Sequence, residues 1–222
     1  MSDGKKIEEL KVVLIGETAV GKTSIISQFM EKIFQVDLQT STVGTLSSKS
    51  FTYGKNKILK FEIWDTAGQE RYRSLAKMFY KEANVAILVY DITRKATFTE
   101  IQNYWSKEIN DNAPANIMKI LCANKSDLVD DETVDEKVAR DYAKEIGATF
   151  HTTSAKNNDG INDLFLNIAK KYTGDENTKI KEGNDEEEDA NDAVDEEPKD
   201  KFGSMKITKK QSVEDVKKKG CC

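Results

Sequence analysis

The segment Gly16-Glu17-Thr18-Ala19-Val20-Gly21-Lys22-Thr23 sets two glycines, a lysine and a hydroxyl at the spacing G-x-x-x-x-G-K-[ST]. Each residue type answers a need of phosphate chemistry. Gly16 and Gly21 allow turns that a Cβ would obstruct, so successive N–H groups along Thr18, Ala19, Val20 and Gly21 can surround an oxygen. Lys22 adds a point charge at the outer phosphates. The Thr23 hydroxyl suits Mg²⁺, a hard cation that takes oxygen ligands. The flanks agree. Val12-Val13-Leu14-Ile15 reads as a buried strand, and Thr23-Ser24-Ile25-Ile26 opens an apolar-periodic helix. Ser24 therefore lies in a first helical turn, where unpaired N–H groups and the positive end of the dipole attract anions.

Two further segments extend the chemistry. Ile58 to Trp64 is a mostly apolar strand that ends at Asp65-Thr66-Ala67-Gly68-Gln69. That places a carboxylate at the carboxyl edge of a sheet, where open α/β sheets bind ligands. Asp65 is expected to hold magnesium, through water, and the Gly68 N–H to meet a terminal phosphate. Gln69, neutral and carrying both donor and acceptor, can orient an attacking water. The third segment, Asn124-Lys125-Ser126-Asp127, follows a strand over Met118 to Ala123. The Asp127 carboxylate can accept both adjacent donors of guanine, N1–H and the 2-amino group, which adenine lacks. The stem of Lys125 can lie over the base. Ser154-Ala155-Lys156, after a short strand over Thr149 to Thr152, is placed to offer backbone N–H to the guanine 6-oxygen. The cofactors expected are GTP/GDP and Mg²⁺.

With these segments in this order, the chain resembles a Ras-superfamily small GTPase, and within it a Rab. The resemblance covers about Lys11 to Tyr172. Its Rab-like marks are Lys60 to Leu75, Phe79-Tyr80-Lys81, Tyr90-Asp91-Ile92-Thr93 and the terminal Cys221-Cys222; the form of the phosphate loop is similar to that of early-endosomal Rabs. The resemblance implies a switch that hydrolyses GTP slowly and regulates vesicle trafficking. Thr42, in Thr42-Val43-Gly44, matches the family's first switch, whose threonine reaches Mg²⁺ and the terminal phosphate. Lys22, Thr42 and Gln69 are then the residues at the reaction, and Thr23, Thr42 and Asp65 those at the metal. Thr42 and Gly68 are held by GTP and released with GDP, so two loops order and relax. Phe34 is the candidate to pack edge-on against guanine. No arginine placed for the transition state stands out in cis, so an activating protein is expected to supply one and an exchange factor to open the site.

The resemblance also implies geranylgeranylation of Cys221 and Cys222, a prenylation escort and a GDP-dissociation inhibitor. Two chains satisfy the two-signal rule for stable anchoring. The expected location is the cytoplasmic face of endosomal or vesicle membranes, with a cytosolic pool, as a monomer whose switch surface binds effectors.

Composition supports a body and a tail. From Gly174 onward the chain carries 10 basic and 15 acidic residues, leaving 24 of each in the body and placing the whole net charge of −5 in the tail. A neutral body gives no reason to expect nucleic-acid binding. The expected domains are an extension over 1–10, the GTPase domain over 11–173 and a disordered tail over 174–222. Within the tail, Glu182 to Asp200 is acidic and self-repelling. Lys201 to Cys222 has seven lysines against two acids, which suits an anionic membrane. No stretch is long enough to span a bilayer, and no signal peptide opens the chain. Three cysteines make no disulfide framework, so the compartment expected is the reducing cytosol, with Cys122 in the core.

The remaining elements predict an α/β fold of the P-loop NTPase kind, a doubly wound, mostly parallel six-stranded sheet with one antiparallel edge strand. A hairpin turning at Tyr53-Gly54-Lys55-Asn56 supplies that strand. Thr97-x-x-Glu100 and Thr133-x-x-Glu136 read as capping boxes. Phe98, Ile101, Trp105 and Ile109 form one helical stripe, and Ile161, Leu164, Phe165, Ile168 and Tyr172 another. His151, beside a strand, is expected to be structural.

A Ran-like carrier and a cytosolic signalling GTPase are disfavoured by Cys221-Cys222, and a binding scaffold with little hydrolysis by Gln69. The chain also departs from the Rab pattern. Where Rabs carry a phenylalanine five residues after the switch threonine, to join Trp64 and Phe79 in an effector-reading triad, it has Ser47. Phe34 precedes Thr42 by eight residues where seven is usual, so the first switch is expected to hold an extra residue and the effector set to differ.

Overall fold

The computed structural model describes residues 5–35, 45–66 and 78–181. Seven strands form one sheet in the order β6-β5-β4-β1-β3-β2-β7. β1 (Lys6–Ile15) pairs in parallel with β3 (Lys57–Asp65) on one side and β4 (Val85–Asp91) on the other. β5 (Met118–Asn124) and β6 (Thr149–Thr153) continue the parallel sheet beyond β4. The chain thus leaves β1 to one side and later returns to the other, so the carboxyl end of β1 is a topological switch point.

The sheet is covered on both faces because its strands alternate between two clusters. Leu10, Val12 and Leu14 of β1 enter a cluster with Phe29, Phe61 and Phe165, while Val13 and Ile15 enter one with Tyr90, Phe98 and Trp105. Every residue of β4 is buried, as a parallel strand packed on both faces requires. Helix α1 (Lys22–Glu31) and helix α5 (Ile161–Thr173) close the first face; Phe29 and Phe165 stack with centroids 3.9 Å apart. On the second face, α2 (Lys95–Glu100) runs through a π-helical turn (Ile101–Trp105) into α3 (Ser106–Asn112), and α4 (Glu136–Glu145) follows.

The hairpin forms as expected: β2 (Thr45–Tyr53) is antiparallel to β3, with Tyr53 opposite Lys57. A seventh strand, β7 (Lys179–Ile180), pairs antiparallel with Phe51 and Thr52 of β2 and takes the edge position expected for β2. The sheet takes in residues on both sides of the 11–173 span, from Lys6 to Ile180.

Four expectations are corrected. The caps lie elsewhere than the two Thr-x-x-Glu pairs. Arg94 is the N-cap of α2, and Thr97 sits inside the helix, its hydroxyl accepting from the Asp91 N–H at 3.1 Å. Asp135 caps α4, accepting from the N–H groups of Lys137 and Val138; a carboxylate next to the helix start displaces Thr133, whose hydroxyl donates to the Ile92 carbonyl instead. In the α5 stripe Ile161, Leu164, Phe165 and Ile168 are buried, but Tyr172, in the last turn, is 40% exposed. Finally, Ser47 pairs with Ile63, and Leu46 pairs with Trp64. Directly paired residues share a sheet face. Leu46, not Ser47, therefore stands on the face of Trp64, whose ring lies 5.3 Å from that of Phe79.

Candidate functional site

The three motifs converge at the carboxyl ends of β1, β3 and β5. Gly16 follows β1 with φ +144°, and a Cβ there would lie 2.2 Å from the Val89 carbonyl oxygen of β4. Gly21, at φ +95°, is the N-cap of α1; a Cβ there would lie 2.3 Å from Asn124 Nδ2. Both positions exclude a side chain by space as well as by backbone angle. No side chain caps α1, so its leading N–H groups face the loop. Lys22 reaches back through that loop, donating to the carbonyls of Gly16 and Glu17 at 2.9 Å each. Burial pushes its ammonium down to about 8, against the opposing pull of Asp65 and Glu17.

Thr23, one residue further along α1, donates its hydroxyl to Asp65 Oδ2 at 2.6 Å, and Asp65 is almost wholly buried at the end of β3. Two oxygen donors thus stand together beside the helix start. That donor set fits Mg²⁺, which prefers carboxylate and hydroxyl oxygen and binds next to phosphate. Thr66 fixes the approach by donating to the Leu14 carbonyl at 2.6 Å.

Asn124 joins the first motif to the third. Its Nδ2 donates to the Val20 carbonyl at 2.8 Å, and its Oδ1 accepts from Thr153 of β6 at 3.1 Å. Beyond it opens a cavity of about 420 Å³ lined by Ala19, Ser24, Phe34, Lys125, Asp127 and Lys156, together with Gly21 and Ala155. This volume falls within the ordinary range for small-molecule sites. Asp127 Oδ1 accepts from Ser154 Oγ at 2.6 Å, and Lys156 Nζ stands 3.9 Å from Asp127 Oδ2. Phe34 is partly exposed at the cavity wall. The structure therefore brings together Val20, Gly21, Lys22, Thr23, Ser24, Asp65, Asn124, Lys125, Asp127, Ser154, Ala155 and Lys156, with Thr18, Ala19 and Phe34 around them. Thr42, Gly68, Gln69, Cys221 and Cys222 lie outside the described residues.

One cluster was not foreseen. Asp91, buried at the end of β4, accepts from Lys125 Nζ at 2.6 Å and Arg94 Nε at 3.0 Å through Oδ2, and from the Thr93 N–H and hydroxyl through Oδ1. Burial works against its charge, but Lys125 and Thr93 prevail and hold the carboxyl below its ordinary range. Asp91 ends an apolar strand, as Asp65 and Asn124 do, and that position was the available signal. His151 is half-buried, its imidazole pushed down by burial despite nearby Asp163, which suits a structural role. Cys122 is fully buried, its thiol raised to about 12.

The sequence profile of the Ras family matches residues 11–174. Among similar proteins, the Ras-related protein Rab-22A of Homo sapiens is 45% identical over 165 residues, covering 74% of this chain and 84% of the relative. The Rab-22A proteins of Canis lupus familiaris and Mus musculus are each 44% identical over the same coverage. The chain belongs to the Ras family and, within it, to the Rab small GTPases.

Proposed function

We propose that the cavity beside Asp127 seats guanine, that the α1 start and Lys22 seat the phosphates, and that Thr23 and Asp65, with Thr42, hold magnesium. As a Rab GTPase the chain is a GTP-hydrolysing switch that regulates vesicle trafficking. The observation that carries the site assignment is the Asn124–Val20 hydrogen bond, which fixes the base-side motif against the phosphate loop.

The residues divide the work. Asp127 Oδ2 faces the base donors while Ser154 occupies Oδ1. Ala155 offers its N–H to the 6-oxygen, and Phe34 covers a ring edge. Lys22 exchanges two carbonyl acceptors for phosphate oxygens, which favours its charged form. Bound magnesium would neutralise charge on the phosphate oxygens. Gln69 orients water, and Thr42 and Gly68 carry the nucleotide state to the effector surface.

Replacing Asp127 by Asn tests the base assignment. The amide presents a donor where xanthine has its 2-oxo group, so preference should pass from GTP to XTP in competition; continued preference for GTP overturns it. Among the described residues no helix is long and apolar enough to cross a membrane. The anchor we assign is a geranylgeranyl group on each of Cys221 and Cys222, holding the chain to endosomal or vesicle membranes. A double serine variant should keep nucleotide binding and leave the membrane fraction. Exchange factor, activating protein, escort, dissociation inhibitor and effectors are the partners this reading requires.

A further inference from the structure

Ala19 lines the cavity and holds a left-handed backbone, φ +62°. For a residue with a Cβ that conformation is strained and persists only where its surroundings impose it. The two carbonyls that flank Ala19 are each gripped by one side chain. Asn124 Nδ2 holds the Val20 carbonyl at 2.8 Å, and Arg94 Nη2 holds the Thr18 carbonyl at 2.9 Å. Asn124 belongs to the base-side motif. Arg94 belongs to none of the motifs.

The same guanidinium is tied through a second nitrogen. Arg94 Nε donates to Asp91 Oδ2 at 3.0 Å, and that oxygen also receives Lys125 Nζ at 2.6 Å. One planar fork therefore joins the phosphate loop to the carboxylate that fixes Lys125. A guanidinium can serve two acceptors in fixed directions, whereas an ammonium is a single point. We infer that Arg94 is a positioning residue of the nucleotide site, a bridge from the Thr18 carbonyl to the Asp91–Lys125 pair that keeps the base side of the cavity closed and so prolongs nucleotide residence. This rests on the nucleotide reading given above.

The Arg94 side chain is 44% exposed, so its ion pair adds little to fold stability. Its effect belongs in the release rate. The test uses the full chain loaded with mant-GDP and Mg²⁺ and chased with excess GDP. Arg94→Ala should speed mant-GDP dissociation by about tenfold, the worth of one hydrogen bond involving a charged group. The change should be read in the dissociation rate, because the bridge from the Thr18 carbonyl to Asp91 holds the site closed around nucleotide already bound. Arg94→Lys should not restore slow release, since it keeps the charge but not the fork. Arg140→Ala, which removes an exposed ion pair with Glu136 on α4, should leave release untouched. Release within twofold of the parent in Arg94→Ala overturns the inference and leaves the site reading standing. So does full rescue by lysine, which reduces the role to charge, or an equal effect in Arg140→Ala, which reduces it to general stability. Failure of the parent protein itself to bind mant-GDP overturns the site reading, and the inference with it.

Discussion

Thr23 Oγ1 donates to Asp65 Oδ2 across 2.6 Å, so the start of α1 and the end of β3 meet in one short hydrogen bond. In the function proposed above, both oxygens belong to the magnesium site. Thr23→Asn replaces the hydroxyl by a bulkier amide whose nitrogen can still donate to Asp65 but leaves no room for the same ligand geometry. The variant should lose affinity for GTP relative to GDP by about ten- to hundredfold, the usual cost of disturbing a metal's supporting contacts. Competition between the two nucleotides at fixed Mg²⁺ measures this. An unchanged GTP/GDP ratio removes Thr23 from the metal site.

Lys22 gives the site a pH dependence of defined sign. Its folded value of about 8 lies below the model-compound value of 10.5 because burial disfavours the ammonium. Between those values the unfolded chain binds more protons than the folded one, so stability rises with pH across the window and the cost of charging is fully present below pH 8. The full span is worth roughly 3 kcal/mol at 1.36 kcal/mol per unit. Protein stripped of nucleotide should therefore gain on a Lys22→Met variant, in unfolding free energy by denaturant titration, as pH is raised from 8 to 10. A constant difference between the two proteins contradicts this. Phosphate in the loop restores a partner for the ammonium, so saturating GDP should abolish the trend.

The motifs were legible because phosphate imposes residue types directly. Gly16 and Gly21 are fixed by the absence of space for a Cβ, and such positions announce themselves in sequence. The strands were legible because both faces of the sheet are buried, so β4 reads as an unbroken apolar run. β7 was not, because two residues carry no periodicity. It is held by its backbone pairing, with the Lys181 N–H donating to the Ser50 carbonyl, and just before it the Asp175 carboxylate accepts from the Gly54 N–H. Asp91 and Arg94 escaped because their partners, Lys125 and Thr18, come together only when β4, β5 and the phosphate loop pack side by side. Ser47 was misplaced for the reverse reason: its distance from Thr42 is a count along the sequence, while its face is set by register against β3.

From that register Trp64 is expected to report nucleotide state. Trp64 precedes Asp65, stands opposite Leu46 and packs its ring 5.3 Å from Phe79, with Lys11 Nζ 5.5 Å from the ring centroid. Leu46 and Phe79 each lie just beyond a segment expected to answer the terminal phosphate, through Thr42 in one and Gly68 in the other. The second tryptophan, Trp105, is fully buried inside the cluster whose margin Trp64 and Phe79 occupy, with its ring 5.0 Å from that of Tyr104. Exchange of GDP for a non-hydrolysable GTP analogue should therefore change intrinsic tryptophan fluorescence through Trp64 alone. Trp105→Phe should keep the change, and Trp64→Phe should lose it while still binding both nucleotides. Leu46→Ala should shift the emission of Trp64 in both states, because it uncovers the paired side of the indole, whereas Ser47→Ala on the opposite face should not. A signal that survives in Trp64→Phe, or a Ser47 effect equal to that of Leu46, breaks the link between this register and the switch.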